Sequence, residues 1–166
     1  SLQLGAGCSI TAIRDGQAVD TSMGFSPLEG LVMATRGGDV DPGLLLFMQR
    51  TEGLTPERVE RLLSEEAGLL GLSGVSGDMR ALLDTDHANA RLAVDVYCYR
   101  ARKYIGAYLA ALGGADAILF GGGVGEHAPL VRAKILTGLA GLGIVLDPAA
   151  NRAAVGTEMR ISNRCS

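Results

Sequence analysis

This sequence contains no tryptophan, only two histidines and only three cysteines, and each scarcity narrows what it can do. Cys8, Cys98 and Cys165 are odd in number and far apart, without the paired short spacings of a zinc site or a small secreted disulfide framework. They read as two small core residues and one exposed thiol in the tail. With His87 and His127 as the only imidazoles, transition-metal chemistry has few ligands to draw on. Charge is also sparse. The 15 basic residues are scattered rather than striped, and the net charge is −3, which excludes the electrostatic footprint of a nucleic-acid binder. No apolar run approaches the roughly 20 residues of a bilayer span. No charged-then-apolar leader opens the chain either, so a cytoplasmic protein without membrane or nucleic-acid partners is expected.

What is abundant is aliphatic surface and glycine. With 166 residues, 48% of them hydrophobic and 20% charged, the chain is long enough for a single domain with a real core. Its 24 glycines gather at the junctions between expected elements instead of forming a low-complexity tract. Four clusters combine glycine with polar residues: Gly5 to Ser9, Thr35 to Asp41, Ser73 to Arg80 and Gly121 to His127.

Periodicity and punctuation give an ordered set of elements. Leu2 to Leu4, Ile10 to Arg14 and Ala18 to Ser22 read as short strands, with Asp15-Gly16 as a hairpin turn. Pro27 to Thr35 reads as a short helix. Asp41-Pro42 and Thr55-Pro56 each place an N-cap residue before an N1 proline, which predicts helices over Pro42 to Arg50 and from Pro56 to about Ser64. Leu70 to Gly77 reads as a loop, and Asp78 to Leu83 as a helical turn or two. Val94, Cys98, Ala101, Ile105, Leu109 and Leu112 recur at spacings of three and four, one buried face of a long helix over Ala88 to Leu112 that Gly113-Gly114 ends. Tyr97, Tyr99, Tyr104 and Tyr108 follow the same helical spacing, as a core face beside a solvated basic one. A buried strand over Ala117 to Phe120 then leads into the glycines. A helix from Pro129 follows, with Val131, Ile135, Leu139 and Leu142 on one face, and Gly143 stops it before a strand over Ile144 to Leu146. A hairpin layer followed by an αβαβ half makes a mixed α/β domain.

Each cluster carries a chemical reading and a structural one. Gly121 to His127 joins a strand to a helix, where glycines let backbone approach an anion closely. The same segment also fits a dinucleotide fingerprint with Asp147 as its acid, or tight strand–helix packing without any ligand. No Gly-x4-Gly-Lys-Ser/Thr occurs, which excludes a P-loop. Gly5 to Ser9 is a tight turn that also suits a phosphate-folding hairpin. In Thr35 to Asp41, the Arg36 guanidinium suits charge neutralisation on a transferring phosphoryl group, or else a loop salt bridge to Asp39. Asp39 and Asp41 suggest a metal pair, although Asp41 is also accounted for as an N-cap. Ser73 to Arg80 suits a ribose or base edge, or helix capping by Ser76 or Asp78.

Taken in order, several segments resemble the acetate kinases. They are Leu4 to Gly7, Asp20-Thr21-Ser22-Met23-Gly24-Phe25-Ser26-Pro27-Leu28-Glu29-Gly30-Leu31, Thr35-Arg36-Gly37-Gly38-Asp39-Val40-Asp41-Pro42, Gly71 to Arg80 and Phe120 to Glu126. The match spans almost the whole chain. It implies a ribonuclease H-like, actin-like ATPase fold, a mixed-sheet domain flanked by helices and one half of the duplicated architecture shared with sugar kinases, heat-shock ATPases and actin. It also implies ATP-dependent, reversible phosphoryl transfer to acetate or another short-chain carboxylate, giving acetyl phosphate and ADP, with magnesium, in a homodimer.

By this resemblance Gln3, Leu4, Gly5, Ala6 and Gly7 would contact phosphates, and Asp78, Met79 and Arg80 the nucleoside. Gly123, Val124, Gly125, Glu126 and His127 would serve the phosphates and the adenosine side. Arg36 matches the family's transition-state-stabilising arginine. Residues 1–166 would form the nucleotide-binding carboxyl-terminal half, without the amino-terminal half or the extreme C-terminus and inactive alone, with the magnesium ligands mainly outside it. Two departures stand out. The family usually has His-Leu-Gly-Asn-Gly where this chain has Gln3-Leu4-Gly5-Ala6-Gly7, and asparagine where it has His127. A non-catalytic folding or dimerisation module and a binder of NAD are the alternative expectations.

Overall fold

In the computed structural model, which describes residues 1–163, alternate side chains of the first strands turn into the core, so that Leu2, Leu4, Cys8, Ile10 and Ala12 are all buried. The expectation for Cys165 lies outside the described residues. Strand β1 (Leu2–Leu4) pairs antiparallel with β2 (Cys8–Arg14) in the register Leu2↔Ile10 and Leu4↔Cys8. Asp15 (φ 51°) and Gly16 (φ 76°), both left-handed, turn the chain into β3 (Gln17–Thr21), as the Asp-Gly pair predicts.

The stretch expected as a helix over Pro27 to Thr35 is an irregular loop with a buried Leu31-Val32-Met33 centre. Its closure explains why. Gly30 (φ +101°) and Gly38 (φ +74°) take left-handed conformations that a helix does not use, and Gly30 and Asp39 bond reciprocally. Asp39 N donates to Gly30 O at 3.0 Å, and Gly30 N donates to Asp39 Oδ1 at 2.8 Å.

The two proline-started helices form where their caps predict. Asp41 Oδ1 accepts from Gly43 N at 2.7 Å ahead of α1 (Pro42–Arg50), and Thr55 accepts from Arg58 N ahead of α2 (Pro56–Arg61). Beyond Arg61 the helix widens into a π-helical turn over Leu62–Glu66. Helix α3 (Gly68–Ser73) then occupies part of the segment read as a loop. Its glycines resemble punctuation in the sequence, yet Leu69 and Ser73 are buried, and only Gly74 (φ +63°) ends the helix, donating to Leu70 O at 2.8 Å.

Helix α4 (Met79–Leu83) is followed by α5 (Ala88–Leu112), the longest element, which ends at left-handed Gly113. Val94, Cys98, Ala101 and Ile105 are buried along its face together with Tyr97 and Tyr108, while Leu109 and Leu112 are half-buried. Helix α5 packs against α3, α4 and β2, and against α7 (Pro129–Leu136).

The strand expected over Ala117 to Phe120 is reduced to β4 (Phe120–Gly121), paired parallel with β1 in the register Leu2↔Phe120. As the outer strand of the sheet order β3-β2-β1-β4 it has no second neighbour among the described residues, and Leu119 is 61% exposed. The glycine segment after it is not a loop but a short helix, α6 (Gly122–His127). Helix α7 stops at Leu136, before Leu139 and Leu142, because Gly138 (φ +83°) breaks it. A 3₁₀ turn over Ala140–Leu142 ends at Gly143. The strand expected over Ile144 to Leu146 is a single bridge, Leu146↔Ser162, before α8 (Pro148–Ala153). Among the described residues no helix is long and apolar enough to cross a membrane.

Candidate functional site

Because β1 and β4 run parallel, side by side, the turns that follow them leave the sheet at the same edge. Gly122 (φ +78°) lies directly on Leu4. A Cβ added there would stand 2.5 Å from Leu4 O and 2.9 Å from Leu4 N. One added to Gly125 would stand 3.7 Å from Leu4 Cβ, and one on Gly121 would stand 3.0 Å from Gln3 Oε1. The segments Gln3 to Gly7 and Gly121 to His127 therefore form one continuous surface. Gln3, Ala6, Gly123, Glu126 and His127 are exposed on it, Gly5 and Gly7 are partly exposed, and Val124 is half-buried. Leu4 is fully buried and contributes only backbone.

Helix α6 is held by its own side chains and by one from α7 that no motif announces. Glu126 Oε1 accepts from Gly122 N at 3.0 Å, and His127 Nδ1 lies 3.2 Å from Gly123 O. From α7, Arg132 reaches beneath with only 2% exposure. Its Nη1 donates to Gly125 O at 2.7 Å and Glu126 O at 3.0 Å, and its Nη2 to Asn151 O at 2.7 Å and Ala154 O at 2.6 Å. Its Nε donates to Asn151 Oδ1 at 2.8 Å. Every guanidinium donor is thus spent on neutral oxygens at the C-terminal ends of α6 and α8, where the helix dipole is negative. Burial pulls this guanidinium below its ordinary range. The only sequence signal for such a role is an arginine at a helical position between Val131 and Ile135, and it is weak.

Arg36 stands beside the β1–β2 turn, next to Gly7. Its Nη1 donates to Pro27 O at 2.9 Å, and its Nη2 would lie 3.1 Å from a Cβ on Gly7. Among the described residues Arg36 has no ion-pair partner. The salt bridge to Asp39 does not form, because Asp39 is committed elsewhere. Its Oδ2 accepts from Arg100 Nη2 at 2.5 Å and Tyr104 Oη at 2.9 Å, while its Oδ1 holds Gly30 N. Burial first, and then Asp39, push the Tyr104 hydroxyl up to about 12. With Asp41 capping α1, the suggested Asp39/Asp41 metal pair dissolves into two structural roles. Among the described residues no three His, Cys, Asp or Glu side chains come together.

The Ser73 to Arg80 cluster joins the same assembly through Ala34. A Cβ on Gly77 would stand 2.9 Å from Ala34 O, and Ala34 N donates to Ala6 O at 3.0 Å. Asp78 caps α4, accepting from Arg80 N at 2.9 Å and from the Arg80 guanidinium, which holds its carboxyl below the usual range. Arg80 and Asp78 are exposed, whereas the Met79 side chain is core. Under the hairpin, Cys8 Sγ and Tyr97 Oη share a buried hydrogen bond of 3.2 Å, with Gly5 O 3.3 Å from the same sulfur. Burial pushes the Cys8 thiol up, so it is a packed neutral group.

The dinucleotide reading loses its acid. Asp147 caps α8, accepting from Ala149 N at 2.8 Å and Ala150 N at 3.0 Å. A cleft of about 380 Å³ between β2 and the C-terminal part of α5, lined by Ile10, Ala12, Ile105, Leu109 and Leu112, touches none of the candidate residues. The candidate site is instead an exposed face formed by the Gln3 to Gly7 and Gly121 to His127 segments.

The profile of the Acetokinase family matches residues 1–166. An acetate kinase of Solibacter usitatus is 53% identical over 166 residues, covering 98% of this chain and 40% of that protein. One from Porphyromonas gingivalis is 47% identical over 162 residues, covering 96% of this chain and 41% of that protein. The crystal structure of Porphyromonas gingivalis acetate kinase superposes with a TM-score of 0.96 at 45% identity, over 99% of this chain and 42% of that one. A propionate kinase from Francisella tularensis superposes with a TM-score of 0.92 at 36% identity, over 99% of this chain and 43% of that one. The chain therefore spans about 40% of the length of the curated relatives it matches.

Proposed function

The chain belongs to the acetokinase family, with the mixed-sheet architecture of the acetate and sugar kinase, heat-shock ATPase and actin group, and we propose that it is the nucleotide-binding carboxyl-terminal half of an acetate kinase. The reaction is ATP-dependent phosphoryl transfer to acetate, reversibly giving acetyl phosphate and ADP. One observation supports this reading: glycine segments more than a hundred residues apart in the chain meet at the end of β1, and beside the same hairpin stands the Arg36 guanidinium, which has no ion-pair partner among the described residues.

Phosphoryl transfer asks little covalent chemistry of a protein and much positioning and charge stabilisation. The backbones of Gln3 to Gly7 and of Gly123 to His127 together offer one surface to the phosphates, and Asp78 to Arg80 border the nucleoside. Arg36, without an ion-pair partner among the described residues, offers its charge to the equatorial oxygens of the group in transit. Magnesium, when bound, neutralises charge between the phosphates. The described residues of this chain do not make a cage for it. The acetate side of the cleft belongs to the rest of the full-length protein, which works as a cytoplasmic homodimer.

Calorimetry of this chain with ATP or ADP and magnesium tests the reading, and saturable binding in the millimolar range or below is the expected outcome. Heat equal to that of buffer overturns nucleotide binding. It would favour the second reading, a folding or dimerisation module, for which Ala6 in place of the family's asparagine is the motivating observation. A dimer whose melting temperature ignores nucleotide would complete that case.

A further inference from the structure

Arg36 is carried by a turn, residues 33–37, that Met33 N closes onto Arg36 O at 3.0 Å. One side of the turn leans on the hairpin through Ala34 N and Ala6 O. The other side is inserted into a break between two helices. The helical run that starts at Pro56 ends with the π-helical turn Leu62–Glu66, and α3 starts at Gly68. The last carbonyls of a helix lack internal donors, and the first N–H groups of the next lack internal acceptors. Here the turn supplies both. Gly37 N donates to Leu63 O at 3.2 Å, and Thr35 Oγ1 to Ser64 O at 2.8 Å. In return Ala67 N donates to Thr35 O at 3.0 Å, Leu69 N to Met33 O at 2.9 Å and Leu70 N to Ala34 O at 2.9 Å.

The contact is close enough to demand a particular residue. Gly68 has φ +61°, and a Cβ there would overlap Met33 O and stand 2.7 Å from Arg36 O and 3.0 Å from Arg36 N. Backbone, not a flexible side-chain end, fills that space. Single π-helical turns inside helices are rare, and they are frequent at functional sites.

We propose that this helix break is the seat that sets the position of Arg36 for phosphoryl transfer, with Gly68 and Thr35 as positioning residues. The inference rests on the role given to Arg36 above. Gly68 admits the turn to the break, and the Thr35 hydroxyl pins it sideways to the π-helical turn. Neither residue touches the phosphates. Their effect passes through the main chain of Arg36.

The test uses the full-length protein that carries this sequence, with steady-state rates of acetyl phosphate formation and nucleotide Kd measured separately. A misplacement of about 1 Å costs on the order of 100-fold in rate, so Gly68→Ala is expected to lower kcat by about that factor while nucleotide Kd changes by less than about twofold. Thr35→Val is expected to lower kcat roughly tenfold, and Thr35→Ser, which keeps the hydroxyl, to restore it. If Gly68→Ala fails to fold, the Thr35 pair decides alone. Variants that keep kcat within about threefold of the parent, or that lose kcat and nucleotide affinity in parallel, overturn the proposal, since either outcome describes packing rather than positioning. Absence of phosphoryl transfer in the unaltered protein would instead overturn the functional reading and take this inference with it.

Discussion

Gly122 and Leu4 share one wall: a Cβ on the glycine would stand 2.5 Å from the leucine's carbonyl oxygen. Two segments that the sequence separates by more than a hundred positions thus form one face, and the consequences can be measured.

Gly122→Ala combines a left-handed φ of +78° with backbone overlap, so it displaces α6 from β1. The expected loss is about 1–3 kcal/mol of stability, together with at least tenfold weaker nucleotide binding by calorimetry. Gly123→Ala is the informative contrast, because nothing lies within 4 Å of its added Cβ. Its melting temperature should match the parent's, so that a loss of nucleotide affinity there reports contact with the ligand.

Arg132→Met leaves five oxygens at the ends of α6 and α8 without their donors. Urea unfolding should show a loss of about 3–5 kcal/mol. Arg132→Lys should recover little of it, because a three-donor ammonium cannot serve a set built for a planar fork. Near-parent stability in either variant would refute this account of α6.

Ala6 is exposed on the hairpin, with its carbonyl already holding Ala34 N. Ala6→Asn restores the family's amide without disturbing that bond. Nucleotide affinity should rise by about 3–10-fold, the value of one added hydrogen bond of roughly 1 kcal/mol. Unchanged affinity would mean that the amide does not reach the phosphates in this chain.

Cys98 is buried on α5, and burial pushes its thiol up from 9.0 to about 12. The folded state therefore holds a proton that the unfolded state has released. This contribution to stability is complete below the ordinary thiol value and is lost as pH rises towards about 12. Urea midpoints measured from pH 8 to 11 should fall, and less steeply in Cys98→Ala. Equal slopes would contradict the assignment.

The fold was legible wherever its causes are local. Asp41-Pro42 and Thr55-Pro56 start helices because a carboxylate or hydroxyl accepts a first-turn N–H two or three residues on, and Asp15-Gly16 turns a hairpin by adopting left-handed φ. The misread segments are those where glycine has a different purpose. At Gly68 and Gly71 it permits close backbone contact inside helical structure, and at Gly30 and Gly38 it closes a loop where a helix was expected. In the site, the clusters and Arg36 were identifiable from motif and order. Arg132 was not, since its partners lie 6 to 22 residues away on elements whose meeting no periodicity announces.

The amino-acid sequence by itself determined the hairpin, the capped helices, the buried face of α5 and membership in a kinase family, because these depend on side chains acting within a few residues and on motif order. Tertiary structure alone decided which partners Asp39 and Arg132 took. Asp39 went to Arg100, 61 positions away, instead of to Arg36, whose guanidinium has no counter-ion among the described residues. The physical reason is that hydrogen-bond acceptors are claimed by whichever donors packing brings within about 3 Å, a selection made in space after the helices have docked.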